Sequence, residues 1–463
     1  MHRSLTVYLK EDAMPFPALS PRLLTGAAAL ACAAALMPMT SLVATASPAA
    51  AAAATGPPAV PASFQPASAS FVSPASGYVL GAAGCTLGHV CIPRLVSTAD
   101  GGARWHFANA PDVAPFNSAV IAYVVNQASG TVTPIRTATG TAGQAINVKQ
   151  YPYAIAITPN GKTAYVTNTL LDTVTPIRTA TGTVGKPVKV GQGPQVIAIT
   201  PNGRTAYAVN AGPGTVTPIS TATNTAGKPI TVGSFPWAIA ITPNGKTAYV
   251  VNAGSGTVTP ISTATNTAGK EIKVGPTASA IAITPNGRTA YVVSEGSDTV
   301  TPISTATNTA GKPIKIPHSS SYSPSGYPGQ TLILSTPNGK TVYVASQSAG
   351  TVTPISTATN MAGKPIRVGK DPFALAITPN GKVVEVVNQA SDTVTPIRTA
   401  TGTAGKPIPV GSTPWAIAIT PNGKNAYVVN NGSGTVTPIS IVTGRAGEAI
   451  SVGNSPVSIA ITR

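Results

Sequence analysis

Few side chains in this 463-residue chain carry a charge or can do acid–base work. Asp and Glu together number 12, His 4 and Cys 3, and charged residues make up only 9%. The histidines are His2, His89, His106 and His318, so no His cluster of the kind a metal centre or a hydrolytic triad needs is visible. Aromatic residues are also few, at 5%. The shortage of acids against 29 Lys and Arg leaves a formal charge of +17, which favours polyanionic partners.

No Asp, Glu, Lys or Arg occurs from Leu23 to Pro93. The first part of that gap, from Leu23 to Ala46, is apolar, follows Arg3, Lys10 and Arg22, and ends in Ala44-Thr45-Ala46. Basic residues, an apolar run and a small-residue site read as a signal peptide over residues 1–46. An uncleaved membrane anchor is the alternative. Residues 47–76 are mostly Ala, Pro and Ser and read as a disordered tether. Residues 77–115 form an N-terminal extension with Cys85 and Cys91, an even pair that in an oxidising compartment favours one small-loop disulfide. A metal site with His89 would lack a fourth ligand.

From residue 116 onward a repeat dominates. Thr-Val-Thr-Pro-Ile begins at Thr131, Thr173, Thr215, Thr257, Thr299, Thr351, Thr393 and Thr435. Each unit holds four short runs rich in Ile, Val, Thr and Tyr, separated by Gly, Asn and Pro turns. That pattern predicts an all-β propeller of four-stranded blades over residues 116–463. The first unit lacks an initial strand, and the chain ends in Val457-Ser-Ile-Ala-Ile-Thr462, an initial strand without a blade. The C-terminal strand is therefore expected to complete the N-terminal blade, giving eight blades and no open edge. Seven blades is the fallback if the first unit packs outside the ring.

Ala164-Tyr-Val-Thr-Asn168, with the preceding Ile-Ala-Ile-Thr-Pro-Asn-Gly-Lys, resembles the YVTN β-propeller repeats of bacterial and archaeal surface proteins. The resemblance runs from about Ser118 to Arg463 and implies a secreted or surface-layer propeller. Relatives of that family include lactonase-like and quinoprotein-like propellers, which implies an enzyme as the alternative function.

Three sets of residues are candidates for a site. Tyr153, Trp237, Phe373 and Trp415 precede first strands and could rim the pore as a stacking surface; packing between blades is the competing reading. His318, Tyr322 and Tyr327 lie in a ten-residue insertion, a ligand loop or a neutral surface insertion. Lys162, Arg204, Lys246, Arg288, Lys340, Lys382 and Lys424 occupy the first turn of successive units, and Lys186, Lys228, Lys270, Lys312, Lys364 and Lys406 are expected in the third. Those turns would share one face and form a cationic crown, unless Lys is there simply as a soluble turn residue. Glu385, in place of the repeat's tyrosine, is either a buried functional carboxylate or drift. Acids otherwise look scattered. The expected function is accordingly a secreted, non-catalytic, monomeric binding propeller of the cell envelope. Its partner would be a cell-wall or other extracellular polymer or a surface protein, with nucleic acid less favoured, and it would use no cofactor and no metal.

Overall fold

The computed structural model describes residues 120–317 and 332–462 in full, together with the backbone of four N-terminal strands. The chain divides into two units, residues 1–115 and 116–463. In the first, Phe64–Ser73, Ser76–Ala83, Ile92–Thr98 and His106–Phe107 form one antiparallel sheet in chain order. Its first strand lies within the stretch that composition reads as tether. The signal segment, Cys85, Cys91, His318, Tyr322 and Tyr327 lie outside the described residues.

The second unit is an eight-bladed propeller. Blade 4 is typical. Its first three strands are Pro236–Ile241, Thr247–Asn252 and Thr257–Ser262, and the outermost is split into Thr267–Ala268 and Ile272–Lys273. Among the described residues the only helical turns are the 3-10 turns Glu295–Ser297 and Gln389–Ser391.

Alternation of side chains along the second strand explains how blades stack. Tyr249 and Val251 point to one side and pack with Ala290 and Val292 of blade 5, while Ala248 and Val250 meet Tyr207 and Val209 of blade 3. A bulky face thus meets a small face at each junction, so every second strand is buried on both sides. Six of the seven tyrosines end in a polar contact across the junction: the Tyr207 hydroxyl donates to Asn266 Oδ1 at 2.6 Å and the Tyr123 hydroxyl to the Thr179 carbonyl at 2.8 Å.

The ring closes as expected. Pro456–Ile461 pairs antiparallel with Ile121–Asn126, with Ile459 opposite Val124, and becomes the innermost strand of blade 1. The eight-bladed expectation therefore holds.

Blade topology defines two ends of the ring. At one end, here the hairpin face, lie the turns joining first to second and third to fourth strands. At the other, the entry face, lie the second-to-third turns and the connections into each first strand. The first turn is held by its Asn: Asn244 Oδ1 accepts from the Thr242 hydroxyl (2.7 Å) and the Lys246 amide (3.0 Å), and Gly245 adopts φ 70°. This turn places Lys162, Arg204, Lys246, Arg288, Lys340, Lys382 and Lys424, all exposed, on the hairpin face. The second row of lysines does not join them. The third turn closes at residues 179–182, and Lys186 falls after it, in the break of the outer strand. There Gly185 donates to the Pro176 carbonyl at 2.8 Å and Pro187 has no amide to pair. The Lys186 series therefore lines the outer wall of the ring.

Candidate active site at the entry face

Each first strand begins with a β-bulge in seven of the eight blades, between Pro236 and Ala238 in blade 4, for example. A bulge frees one residue from the ladder and re-aims its side chain. The residues so placed are Tyr153, Gln195, Trp237, Ser279, Phe373, Trp415 and Val457, on the innermost strands at the entry face. Phe373 and Tyr153 are buried, whereas Trp237 and Trp415 keep part of their surface open. Phe373 and Trp415, from neighbouring blades, meet with ring centroids 4.9 Å apart and planes tilted by 58°. Packing between blades is thus what Phe373 and Trp415 show, and Trp415 also packs against the cluster that holds Val457.

The residue before each bulge has a left-handed backbone: Tyr151, Phe235, Thr277, Asp371, Thr413 and Ser455 have φ between 50° and 53°, and Gly193 has φ 63°. Its carbonyl accepts the amide of the first residue of the second-to-third turn, as in Gln389 to Asp371 (2.8 Å) and Glu295 to Thr277 (3.1 Å). This repeated contact ties the entry connection to the turn, and so fixes what stands at the mouth.

Five acids that look scattered along the chain fall on this one face. Asp172, Asp298 and Asp392 share one turn position, where other blades have Gly, and Glu295 and Asp371 occupy the two tied positions just described. All five lie on the entry face. Asp172 and Asp392 have structural work: their Oδ1 atoms accept the amides of Gly193 (3.0 Å) and Thr413 (2.7 Å) in the connection to the next blade.

Glu295 and Asp371 differ. Burial raises both carboxyls above their ordinary values, an effect partly offset by the Ser279 hydroxyl for Glu295 and the Gln347 side chain for Asp371. The Ser279 contact is loose, since its Oγ makes no hydrogen bond of ordinary geometry among the described residues, and neither does Asp371 Oδ1. Glu295 belongs to blade 5 and Asp371 to the connection into blade 7. They flank blade 6, whose own entry carries the insertion with His318, Tyr322 and Tyr327. The repeat position of Glu295 reaches forward to the next blade: its counterpart Thr169 donates to the Pro194 carbonyl at 3.0 Å, and Asn431 to that of Pro456 at 3.1 Å.

Sequence reasoning passed over Ser279, Glu295, Gln347 and Asp371. The available signal was their phase in the repeat, since departures from the copied unit collect at two positions of one face. Among the described residues no three His, Cys, Asp or Glu side chains gather as a metal-binding group.

A protein-family model described as "Lactonase, 7-bladed beta-propeller" matches residues 238–410, which span blades 4 to 7 and so contain Ser279, Glu295, Gln347, Asp371 and Phe373. No curated protein matches the chain. Among solved structures, the dihydro-heme d1 dehydrogenase NirN superposes with a TM-score of 0.62 at 14% identity, over 74% of this chain and 75% of that one. Hydrazine synthase of Kuenenia stuttgartiensis gives 0.51 at 23%, over 62% and 95%. A Bacteroides fragilis candidate 6-phosphogluconolactonase gives 0.51 at 16%, over 76% and 100%. At such identities these likenesses establish the propeller fold alone. The lactonase match overturns the non-catalytic reading reached from composition. That reading rested on acids being dispersed and blades being copies, whereas blades 5 to 7 depart from the copy where the chain meets the mouth. The chain is a β-propeller whose central blades are similar to lactonase propellers.

Proposed function

We propose that the protein is a hydrolase of lactone-type cyclic esters, with its site at the entry face over blades 5 to 7. The observation that carries this reading is the coincidence of the lactonase match, over residues 238–410, with the sector where two desolvated carboxyls flank one blade. Lactone opening needs a base to take a proton from the attacking water and an acid to protonate the ring oxygen that leaves. Glu295 is assigned the first role and Asp371 the second. Water oxygen bonds to the carbonyl carbon while its proton passes to Glu295. The ring C–O bond then breaks, its oxygen takes the proton of Asp371, and a hydroxy acid results. A carboxyl raised above its ordinary range is suited to this work nearer neutral pH. Trp415, from the adjoining blade 8, keeps part of its surface open and supplies an apolar wall for the substrate ring, with the buried Phe373 packed behind it.

The repeat itself we assign to the YVTN type, on the residues from Ala164 to Asn168, and the site of action to the outside of the cell, on the pattern of residues 1–46. The test is pH-stat hydrolysis of a panel of aldonolactones and aliphatic γ- and δ-lactones by the full chain. Glu295→Gln and Asp371→Asn should each lower kcat about 10²- to 10⁴-fold. Absence of turnover on every lactone, or turnover indifferent to both substitutions, would overturn the proposal.

A further inference from the structure

The hairpin face has a property that the entry face lacks: among the described residues its turns hold cations and no carboxylate. The seven first-turn cations are joined there by Arg136, Arg178 and Arg398, which end third strands, and by Arg445, which begins a fourth; all eleven are exposed. The described acids lie elsewhere, on the entry face, in the outer strands (Glu271, Glu448) or inside a blade (Glu385). The ring is therefore a disc with one cationic side.

Charge alone would suit any polyanion. A second observation narrows the choice. Three of the seven exposed large hydrophobic side chains stand on this same face, where among the described residues no carboxylate accompanies them: Val184 is 38% exposed, Met361 68% and Val442 80%. The other four, Tyr151, Leu170, Leu171 and Phe235, stand on the entry face. Val184 and Met361 are in the first, hairpin-side piece of an outer strand and Val442 is in a third turn. The other units have Ala where Val184 and Val442 stand, and mostly Thr where Met361 stands. They belong to blades 2, 6 and 8, so they are spread around the ring rather than collected in one patch. Exposed apolar side chains set among a plane of cations are the composition of a membrane-interface surface, where aliphatic groups enter the acyl boundary and ammonium and guanidinium groups meet anionic headgroups. A linear polymer could touch only a chord of this face, whereas a planar surface engages all its turns together.

We propose that the hairpin face docks on an anionic lipid surface, leaving the entry face turned away from it. The occupant is the bilayer surface, held by headgroup charge and by shallow insertion of Val184, Met361 and Val442.

The test is co-sedimentation of the full chain with vesicles of phosphatidylcholine alone or with about one-third phosphatidylglycerol, across a salt series. The quantity read is the ratio of anionic to neutral vesicle binding, which cancels any lipid affinity of the apolar N-terminal segment. The ratio should be well above one and fall with salt. Replacing Lys340, Lys382 and Lys424 together by Gln should lower it about a hundredfold, at about fivefold per cation. These side chains leave the turn's Asn-held amides untouched, so the fold should survive, as circular dichroism would confirm. Met361→Ser with Val442→Ser should weaken the binding that persists at high salt. A ratio near one, a ratio unchanged in the triple variant, or retention on DNA or an anionic polymer without retention on vesicles would overturn the proposal.

Discussion

At the residue scale, Glu385 shows how a copied unit tolerates one departure. Seven blades place a tyrosine at this position, and in six of them its hydroxyl crosses to a carbonyl or an Asn in the next blade. In blade 7 the glutamate is 1% exposed and its Oε2 has no partner. The next blade carries Ile441 where its counterparts carry Thr; the carbonyl that accepts in other blades is a main-chain group and is kept, so the change lies in the side chains alone. Burial pushes the Glu385 carboxyl up from 4.5 to about 7. A carboxyl raised in the folded state binds its proton more tightly there than in the unfolded chain. Its stability contribution is thus fully present below about pH 4.5 and is lost as pH rises through about 7. The full shift corresponds to roughly 3 kcal/mol. Denaturant titrations should find the protein less stable at pH 8 than at pH 5 by up to that amount, and Glu385→Gln should remove most of the difference. A pH profile unchanged in the variant would exclude this origin. The same reasoning could not be run from the sequence, where a glutamate in a strand reads equally as surface drift; only the closed junction decides that it is buried.

Glycines of the entry connections answer to the neighbouring Asn. At Gly411 an added Cβ would lie 2.7 Å from Asn430 Cγ and 2.4 Å from Ser433 Oγ, and Asn430 is fully buried. Gly411→Ala should cost about 1–3 kcal/mol in chemical denaturation. The connection from blade 1 to blade 2 shows what escape requires. Lys149 stands there instead, at φ 69°, and Asn168 has turned to donate to the Val148 carbonyl at 2.8 Å.

At the element scale, the junction between blades is the unit that stabilises the ring. The Tyr207 hydroxyl bonds Asn266 of the next blade, and its ring fills the step against Ala248 and Val250. Tyr207→Phe keeps the packing and removes one hydrogen bond, so a loss of about 0.5–1.5 kcal/mol is expected; Tyr207→Ala should cost more, about 3–5 kcal/mol. Measuring both separates the polar contribution from the packing one. Strand number and order were legible in the period-2 runs of Ile, Val and Tyr. The split of the fourth strand was not, because Gly185 and Pro187 interrupt a ladder whose partner is fixed only when the third strand lies beside it. That split moved the Lys186 series from the predicted third turn to the outer wall.

At the scale of the whole molecule, closure makes eight marginal sheets into one domain. Removing Pro456–Arg463 deletes the innermost strand of blade 1 and exposes the edge of Ile121–Asn126. An unpaired, buried-type strand recruits other chains, so the truncated protein should elute as aggregates in size-exclusion chromatography where the full chain elutes as a single species. Addition of a peptide of residues 455–462 should partly restore the compact form, because the edge accepts a strand of that pattern.

The amino-acid sequence by itself determined the all-β class, the eight units, their strand order and the closing partnership of the two chain ends. Each of those follows from a period repeated along the chain, and local turn chemistry restates it in every unit. Tertiary structure alone decided which departures from the repeat meet. Glu295 and Asp371 are 76 residues apart in the chain; they share a face because two different connections, one after a second strand and one before a first, end on the same side of a closed ring. The confinement of the hairpin-face turns to cations has the same cause. In a chain read linearly the turns of the two faces alternate, and only the up-and-down course of each blade sorts odd turns from even ones.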